Sequence, residues 1–183
     1  MRYLLAFFVT LGLLFLVLFL LFHSGGTPKV VTTKTLDSYA ATDAEAILTI
    51  DGPVNANQDH QQVRISVGRD NVAYEQISGY DGSVVRMQNY SNTQNAYENF
   101  LLALGHAGFT RGDNNPNSRD ERGFCPLGDR YVFQLRQDNQ DVERYWATSC
   151  GKPKTYLGAL SLTLTLFEKQ VSNYSDLTQK LNL

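Results

Sequence analysis

The chain has 183 residues, with 16 basic and 18 acidic side chains and a net charge of −2. Its Lys and Arg are scattered, which argues against nucleic-acid binding, where clustered cations must neutralise phosphate. It contains no phosphate-binding glycine loop, no dinucleotide fingerprint and no repeat, so the sequence gives no support to nucleotide chemistry or a repeat architecture.

Residues 3–22 read YLLAFFVTLGLLFLVLFLLF, without a charge or a proline. At about 1.5 Å of rise per residue, a helix of this length spans roughly 30 Å, the thickness of a bilayer's hydrocarbon core. A cleaved signal has a shorter apolar core of about 7–15 residues, so the run favours an uncleaved transmembrane signal anchor over residues 1–22. The competing reading is cleavage after Gly26, where Ser24 and Gly26 are small. Arg2 and the amino terminus precede the run, and Lys29 and Lys34 stand farther beyond it. Positive charge next to a first helix stays cytoplasmic. The N-terminus is therefore expected inside and the remainder outside, in a single pass of the cell membrane. Without Arg2 that remainder carries 15 basic and 18 acidic side chains, net −3.

Residues 23–42 read as a linker, because Ser24, Gly25, Gly26 and Pro28 disfavour regular structure. Residues 43–183 are enough for one domain with its own core. Residues 46–50 form an expected first strand, stopped by Asp51-Gly52-Pro53. Val63, Ile65 and Val67 alternate with Arg64 and Ser66, as in a half-buried strand. Gly68-Arg69-Asp70-Asn71 signals a turn, residues 72–77 return, Gly79-Tyr80-Asp81-Gly82 turns again, and 83–90 is a fourth strand. The four together predict an antiparallel meander.

The period then changes. Asn92 or Thr93 can cap a helix, and Tyr97, Phe100, Leu101 and Leu104 fall on one face of residues 94–106, ended by Gly105 and Gly108. Residues 110–123 (TRGDNNPNSRDERG) offer no apolar side chain to bury and read as a surface loop. Residues 130–136 alternate as a strand, residues 137–140 turn, and residues 142–149 return carrying Tyr145 and Trp146. Outside the cytoplasm an even cysteine pair reads as a disulfide. Cys125 and Cys150 flank this hairpin, at positions adjacent in an antiparallel pair. Closing that loop is worth roughly 3–4 kcal/mol on the chain-entropy view. In the tail, residues 160–166 alternate like a strand, yet Leu157, Leu160, Leu164, Phe167 and Val171 make a helical stripe. Phe167-Glu168-Lys169-Gln170 favours helix. Ser175 can cap a last short helix through Leu181. The expected fold class is α+β: a transmembrane helix, then one antiparallel-sheet domain with a packed helix and a helical C-terminus.

Several features bear on function. Arg111-Gly112-Asp113 is the tripeptide read by integrin receptors, here in an exposed loop. Asp113, Asn115 and Asn117 follow the first oxygen positions of a calcium loop, but Ser118 stands where glycine is needed and Phe124 where the bidentate glutamate belongs. That leaves at most a surface cation site through Asp120 or Glu121. Asp59-His60 has the composition of half an acid–base pair. No Gly-x-Ser-x-Gly or Ser-x-x-Lys supplies a nucleophile. Tyrosines enrich cores and binding faces alike, and Tyr80 and Tyr90, at turns, are the surface candidates.

The order of helix, Phe124-Cys125-Pro126-Leu127, hairpin and closing Cys150 resembles the bacterial subtilisin-inhibitor-like proteins over about Ala96 to Cys150. The resemblance implies a reactive loop after the Cys-Pro step, with Leu127 and Gly128 in the region of the scissile bond. A second cysteine pair is absent, the polar loop is longer, and the C-terminal helices have no counterpart.

The expected function is a membrane-anchored extracytoplasmic binding module, without catalysis, cofactor or metal. Its partner is another envelope or secreted protein, and its contact face draws on Tyr80, Tyr90, Arg111, Asp113 and Leu127. The alternative is a membrane-presented protease inhibitor, which requires residues 124–130 to form a rigid, convex, exposed loop. A third reading, an enzyme with a dispersed polar site, requires His60 or His106 to lie in a pocket beside a carboxylate.

Overall fold

The computed structural model describes residues 34–181 and 183, together with residues 7, 11–16 and 19. The chain divides into two units, Met1–Thr33 and Lys34–Leu183. In the first, residues 7, 11–16 and 19 are helical and exposed. Among the described residues no helix is long and apolar enough to cross a membrane. Most of the anchor expected at residues 3–22 lies outside the described residues, as do residues 23–33 of the expected linker.

The second unit is an antiparallel six-stranded sheet with helices. Its strands are β1 (Glu45–Asp51), β2 (Gln61–Val67), β3 (Asn71–Ser78), β4 (Ser83–Ser91), β5 (Arg130–Gln137) and β6 (Gln140–Thr148), in the spatial order β4-β3-β2-β1-β5-β6. The expected meander of β1 to β4 and the β5–β6 hairpin are both present. The link between them is that β5 pairs with β1, from Glu45↔Arg136 to Asp51↔Arg130. β1 therefore lies inside the sheet, and β4 and β6 are its edges.

Alternation sends Ala46, Leu48 and Ile50 of β1, Val63, Ile65 and Val67 of β2, and Phe133 and Leu135 of β5 to one face, where all are buried. Helix α1 (Gln94–Ala107) covers that face with Tyr97, Phe100, Leu101, Leu104 and Ala107. Thr93 caps α1 by accepting the Ala96 N–H, and Gly108 ends it at φ 79°, a left-handed conformation open to glycine. Gly105, expected to stop the helix, sits inside it. Helix α2 (Leu160–Glu168) packs on α1, with Phe167 edge-on to Phe100 at 5.2 Å. A short α3 (Tyr174–Thr178) follows and buries Leu177. The tail is helical, as the stripe suggested. Asn173, however, is the residue preceding α3 and offers no side-chain cap, and Leu157 is left 55% exposed.

Two local readings change. Leu36–Ala41, taken from the sequence as part of the tether, forms a 3-10 turn that buries Leu36 and Ala40 and packs on α1. Its two apolar side chains, spaced four apart, find a hydrophobic surface that polar neighbours in sequence did not reveal. Residues 110–123 are on the surface but are docked. The Trp146 indole N–H donates to Ser118 O at 2.8 Å, Arg144 pairs with Glu121 at 2.6 Å, and the Phe124 ring stacks on Trp146 at 5.1 Å. This polar loop is fastened to β6 by hydrogen bonds and an ion pair.

Candidate contact face

The site lies at the end of the sheet where β1 finishes, β5 begins and the β3–β4 turn closes. Asp51, the last residue of β1, faces Gln62 of β2 on one side and Arg130 of β5 on the other. The Arg130 guanidinium lies 2.6 Å from Asp51 Oδ2 and donates to Gly52 O at 2.8 Å. His60 Nε2 lies 2.9 Å from Asp51 Oδ1. Both His60 and Arg130 are buried. Burial pushes the Asp51 carboxyl above the usual carboxylate range, although the charges of Arg130 and His60 oppose the shift. An ion cluster of this kind costs desolvation on forming and costs more if one member is removed.

The cluster anchors the connection that follows β1. His60 Nδ1 lies 3.2 Å from Pro53 O, and the His60 N–H donates to Ala56 O at 3.0 Å. The His60 carbonyl accepts the Gly79 N–H at 2.9 Å, and the imidazole is roofed by the Tyr80 ring, 4.0 Å away and 13° from parallel. Tyr80 is itself fixed. Its hydroxyl donates to Asn55 O and accepts the Asn55 N–H, at 3.0 and 3.1 Å, and its own N–H donates to Asn57 Oδ1 at 2.8 Å.

The Val54 N–H then donates to Pro126 O at 2.8 Å, which joins this connection to the turn before β5. That turn, Cys125 to Gly128, is closed by the Gly128 N–H donating to Cys125 O at 3.1 Å. Cys125 and Cys150 form a disulfide across the two ends of the hairpin, with Cα atoms 5.8 Å apart. Next to it, the Ser149 N–H donates to Asp129 O and the Asp129 N–H to Ser149 Oγ, at 3.0 and 2.9 Å. Gly128 is required by space, because a Cβ there would overlap Ser149 Oγ and crowd Cys125 Sγ. Leu127 stands at the tip, 88% exposed. Val54, 49% exposed, lies on the connection hydrogen-bonded to this turn, and Tyr80, 51% exposed, lies on the β3–β4 turn bonded to that same connection.

Of the residues singled out in the sequence, the structure brings Tyr80 and Leu127 to this end. It does not bring the other three. Tyr90 pairs with Val72 at the opposite end of β4, half-buried, and its hydroxyl donates to Asn173 Oδ1. Arg111 and Asp113 flank Gly112, which bridges to Tyr156 and lies so close to the Tyr145 ring that a Cβ would overlap it. The tripeptide is laid along the chain beyond β6 and is not raised on a free loop. The Asp113 carboxylate accepts the Asn115 N–H and the Ser118 hydroxyl, and Asn115 Oδ1 accepts the Asn117 N–H, so the calcium-like oxygens are engaged in their own turns. Among the described residues no group of three or more His, Cys, Asp or Glu is placed to hold a metal ion. His106 is exposed on the last turn of α1.

Sequence reasoning did not find Val54, nor the Asp51–His60–Arg130 cluster beneath it. Asp51 reads locally as a turn residue and Arg130 as an outward strand residue, and only the β1–β5 pairing makes them neighbours. A concavity of about 450 Å³ lies at the other end of the sheet and is lined by Asp43, Glu45, Arg136, Asp138 and Asn139, without the apolar walls of a ligand pocket. No protein-family model matches the chain, and no curated protein matches it.

Proposed function

We propose that the chain is a membrane-anchored, extracytoplasmic binding module that engages another envelope or secreted protein through Leu127 and its neighbours Val54 and Tyr80. The observation that carries this reading is an almost fully exposed leucine on a turn held by a disulfide and by hydrogen bonds on both sides. Exposed apolar side chains taken singly are ordinary. Held on rigid backbone, they have little motional freedom to lose on association, which is how preorganisation adds affinity. The anchor rests on the apolar run of residues 3–22, and the extracytoplasmic side rests on the disulfide together with Arg2. A catalytic role for His60 finds no support. It stands beside a carboxylate, but it is buried beneath the Tyr80 ring, shut off from the surface.

The inhibitor reading is favoured by one observation, the exposed Leu127 on a turn tied down by the disulfide. Against it, the turn closed between Cys125 and Gly128 is folded back on itself, whereas extended peptides are recognised by open main-chain hydrogen bonds. A photo-crosslinking residue at position 127 of the full-length protein, activated in intact cells, tests both. A single envelope partner, lost with Tyr80→Ser and retained with Tyr90→Phe, is the expected result. Capture of a secreted protease with cleavage after Leu127 would replace the binding module with the inhibitor. Capture of nothing from position 127, with a partner crosslinked from Tyr90 or Asp113, would overturn the assigned face.

A further inference from the structure

The two ring nitrogens of His60 have different surroundings. Nδ1 faces Pro53 O, which can only accept, so the tautomer that bonds Pro53 carries its hydrogen on Nδ1. Nε2 faces two groups that ask opposite things of it: Asp51 Oδ1 at 2.9 Å and the Gln62 side-chain nitrogen at 3.2 Å. A neutral imidazole has a lone pair at Nε2 and accepts from the Gln62 amide. Asp51 Oδ1, a buried oxygen that otherwise accepts no hydrogen bond, is then left without a donor. An imidazolium has a hydrogen at Nε2, which Asp51 Oδ1 accepts, and Gln62 turns its amide over to present oxygen. Each charge state thus has its own partner within reach. The imidazole can change charge without the fold opening, at a site that also holds the Pro53–His60 connection and the Tyr80 turn.

We propose that His60 is a proton-operated clasp for the contact face: protonation ties the Pro53–His60 connection to β1 and β5 through Asp51, and deprotonation exchanges that tie for the weaker one to Gln62. The proposal rests on reading this end of the sheet as the binding surface, because Val54 and Tyr80 are the side chains it steadies. The titratable and charged groups facing the imidazole are Asp51 from β1, Arg130 from β5 through Asp51, and the Tyr80 phenol from the β3–β4 turn. Gln62 of β2 is neutral, and the neighbouring Asp59 carboxylate lies at the surface beside Gln58. The sign follows from linkage. The clasped form binds the extra proton, so the clasp tightens as pH falls. It releases again in stronger acid when Asp51 takes up a proton, and burial moves that release to higher pH than for an ordinary carboxyl.

Hydrogen–deuterium exchange on the full-length protein, from about pH 5 to about pH 8 and corrected for intrinsic rates, tests this without a partner. Opening of the 53–60 and 79–81 segments is expected to be about tenfold more frequent at the upper pH, the equivalent of one charge-assisted hydrogen bond. Asp51→Asn removes the charge and is expected to flatten the response. Gln62→Leu removes the one donor to the neutral form while leaving the imidazolium its Asp51 partner, and is expected to steepen the response, so the test stands even if Asp51→Asn fails to fold. A flat response in the unaltered protein, or the same response with Gln62→Leu, would overturn the clasp. Neither result depends on what crosslinks to position 127, so the clasp and the contact face fail separately.

Discussion

Replacing both cysteines with alanine, C125A/C150A, isolates the work of the disulfide. The cysteines are 25 positions apart. The chain-entropy relation, −2.1 − 1.5R ln n, gives about −12 cal/mol/K for such a loop, or about 3.5 kcal/mol at 25 °C. The native side of the balance changes little, because β5 and β6 remain paired from Arg130↔Thr148 to Gln137↔Gln140 without the crosslink. For a unit spanning Lys34–Leu183, about 2–4 °C per kcal/mol converts the loss into a melting shift of about 7–14 °C. Urea unfolding followed by Trp146 fluorescence measures it. Since an uncrosslinked denatured chain exposes more surface, the slope m is expected to rise as well as the midpoint to fall. Local exchange at the Gly128 and Val54 amides is expected to rise more than at β2, because the turn loses its covalent tie while the sheet does not. A loss below about 1 kcal/mol with m unchanged would refute the reasoning, and would mean that the denatured chain keeps the hairpin closed by itself.

Two further outcomes follow from packing and burial. Gly112→Ala is expected to destabilise the fold by about 1–3 kcal/mol, since the new Cβ must displace the buried Tyr145 ring. A thermal melt within experimental error of the parent would show instead that Arg111-Gly112-Asp113 stands free, as an adhesion loop would. Burial, reinforced by Asp129 and by Glu143 respectively, pushes the phenols of Tyr131 and Tyr145 up to about 12, and burial raises Tyr74, Tyr97, Tyr156 and Tyr174 as well. A phenol raised by folding contributes stability below its unfolded value of about 10 and loses it as pH rises through the folded value. The urea midpoint is therefore expected to fall steeply between about pH 10 and about pH 12, together with a cooperative rise in phenolate absorbance. Gradual ionisation near pH 10 of all ten tyrosines, with the fold intact, would contradict the burial of these rings.

The elements that could be read from the sequence are those whose signal is local. Val63, Ile65 and Val67 announce β2 by alternation, and Tyr97, Phe100, Leu101 and Leu104 announce α1 by period, because each side chain's burial depends only on its own element's geometry. The Cys125–Cys150 pairing was legible because a hairpin forces its two ends together. The docking of residues 110–123 was not. It depends on Arg144 and Trp146 of β6 reaching main-chain oxygens and a carboxylate more than twenty positions earlier, and a polar segment satisfied in that way carries no hydrophobic mark. Leu36–Ala41 was missed for a related reason. Two small apolar contacts suffice when α1 is already in place to receive them.

The contact face belongs to the same class of long-range fact. Val54, Tyr80 and Leu127 come from three separate connections, and none is unusual by itself. They are joined because β1 takes β2 on one side and β5 on the other, which puts the connections after β1, after β3 and before β5 at one end of the sheet. The same pairing creates the support. Asp51 can hold both His60 and Arg130 only because it lies between the strands that carry or follow them. A shift of β5 by one residue along β1 would turn Arg130 to the core face and leave Asp51 without its cation. Register, more than any single side chain, is therefore what makes this end of the molecule rigid. A substitution that slackens the β1–β5 ladder should disturb Leu127 from a distance.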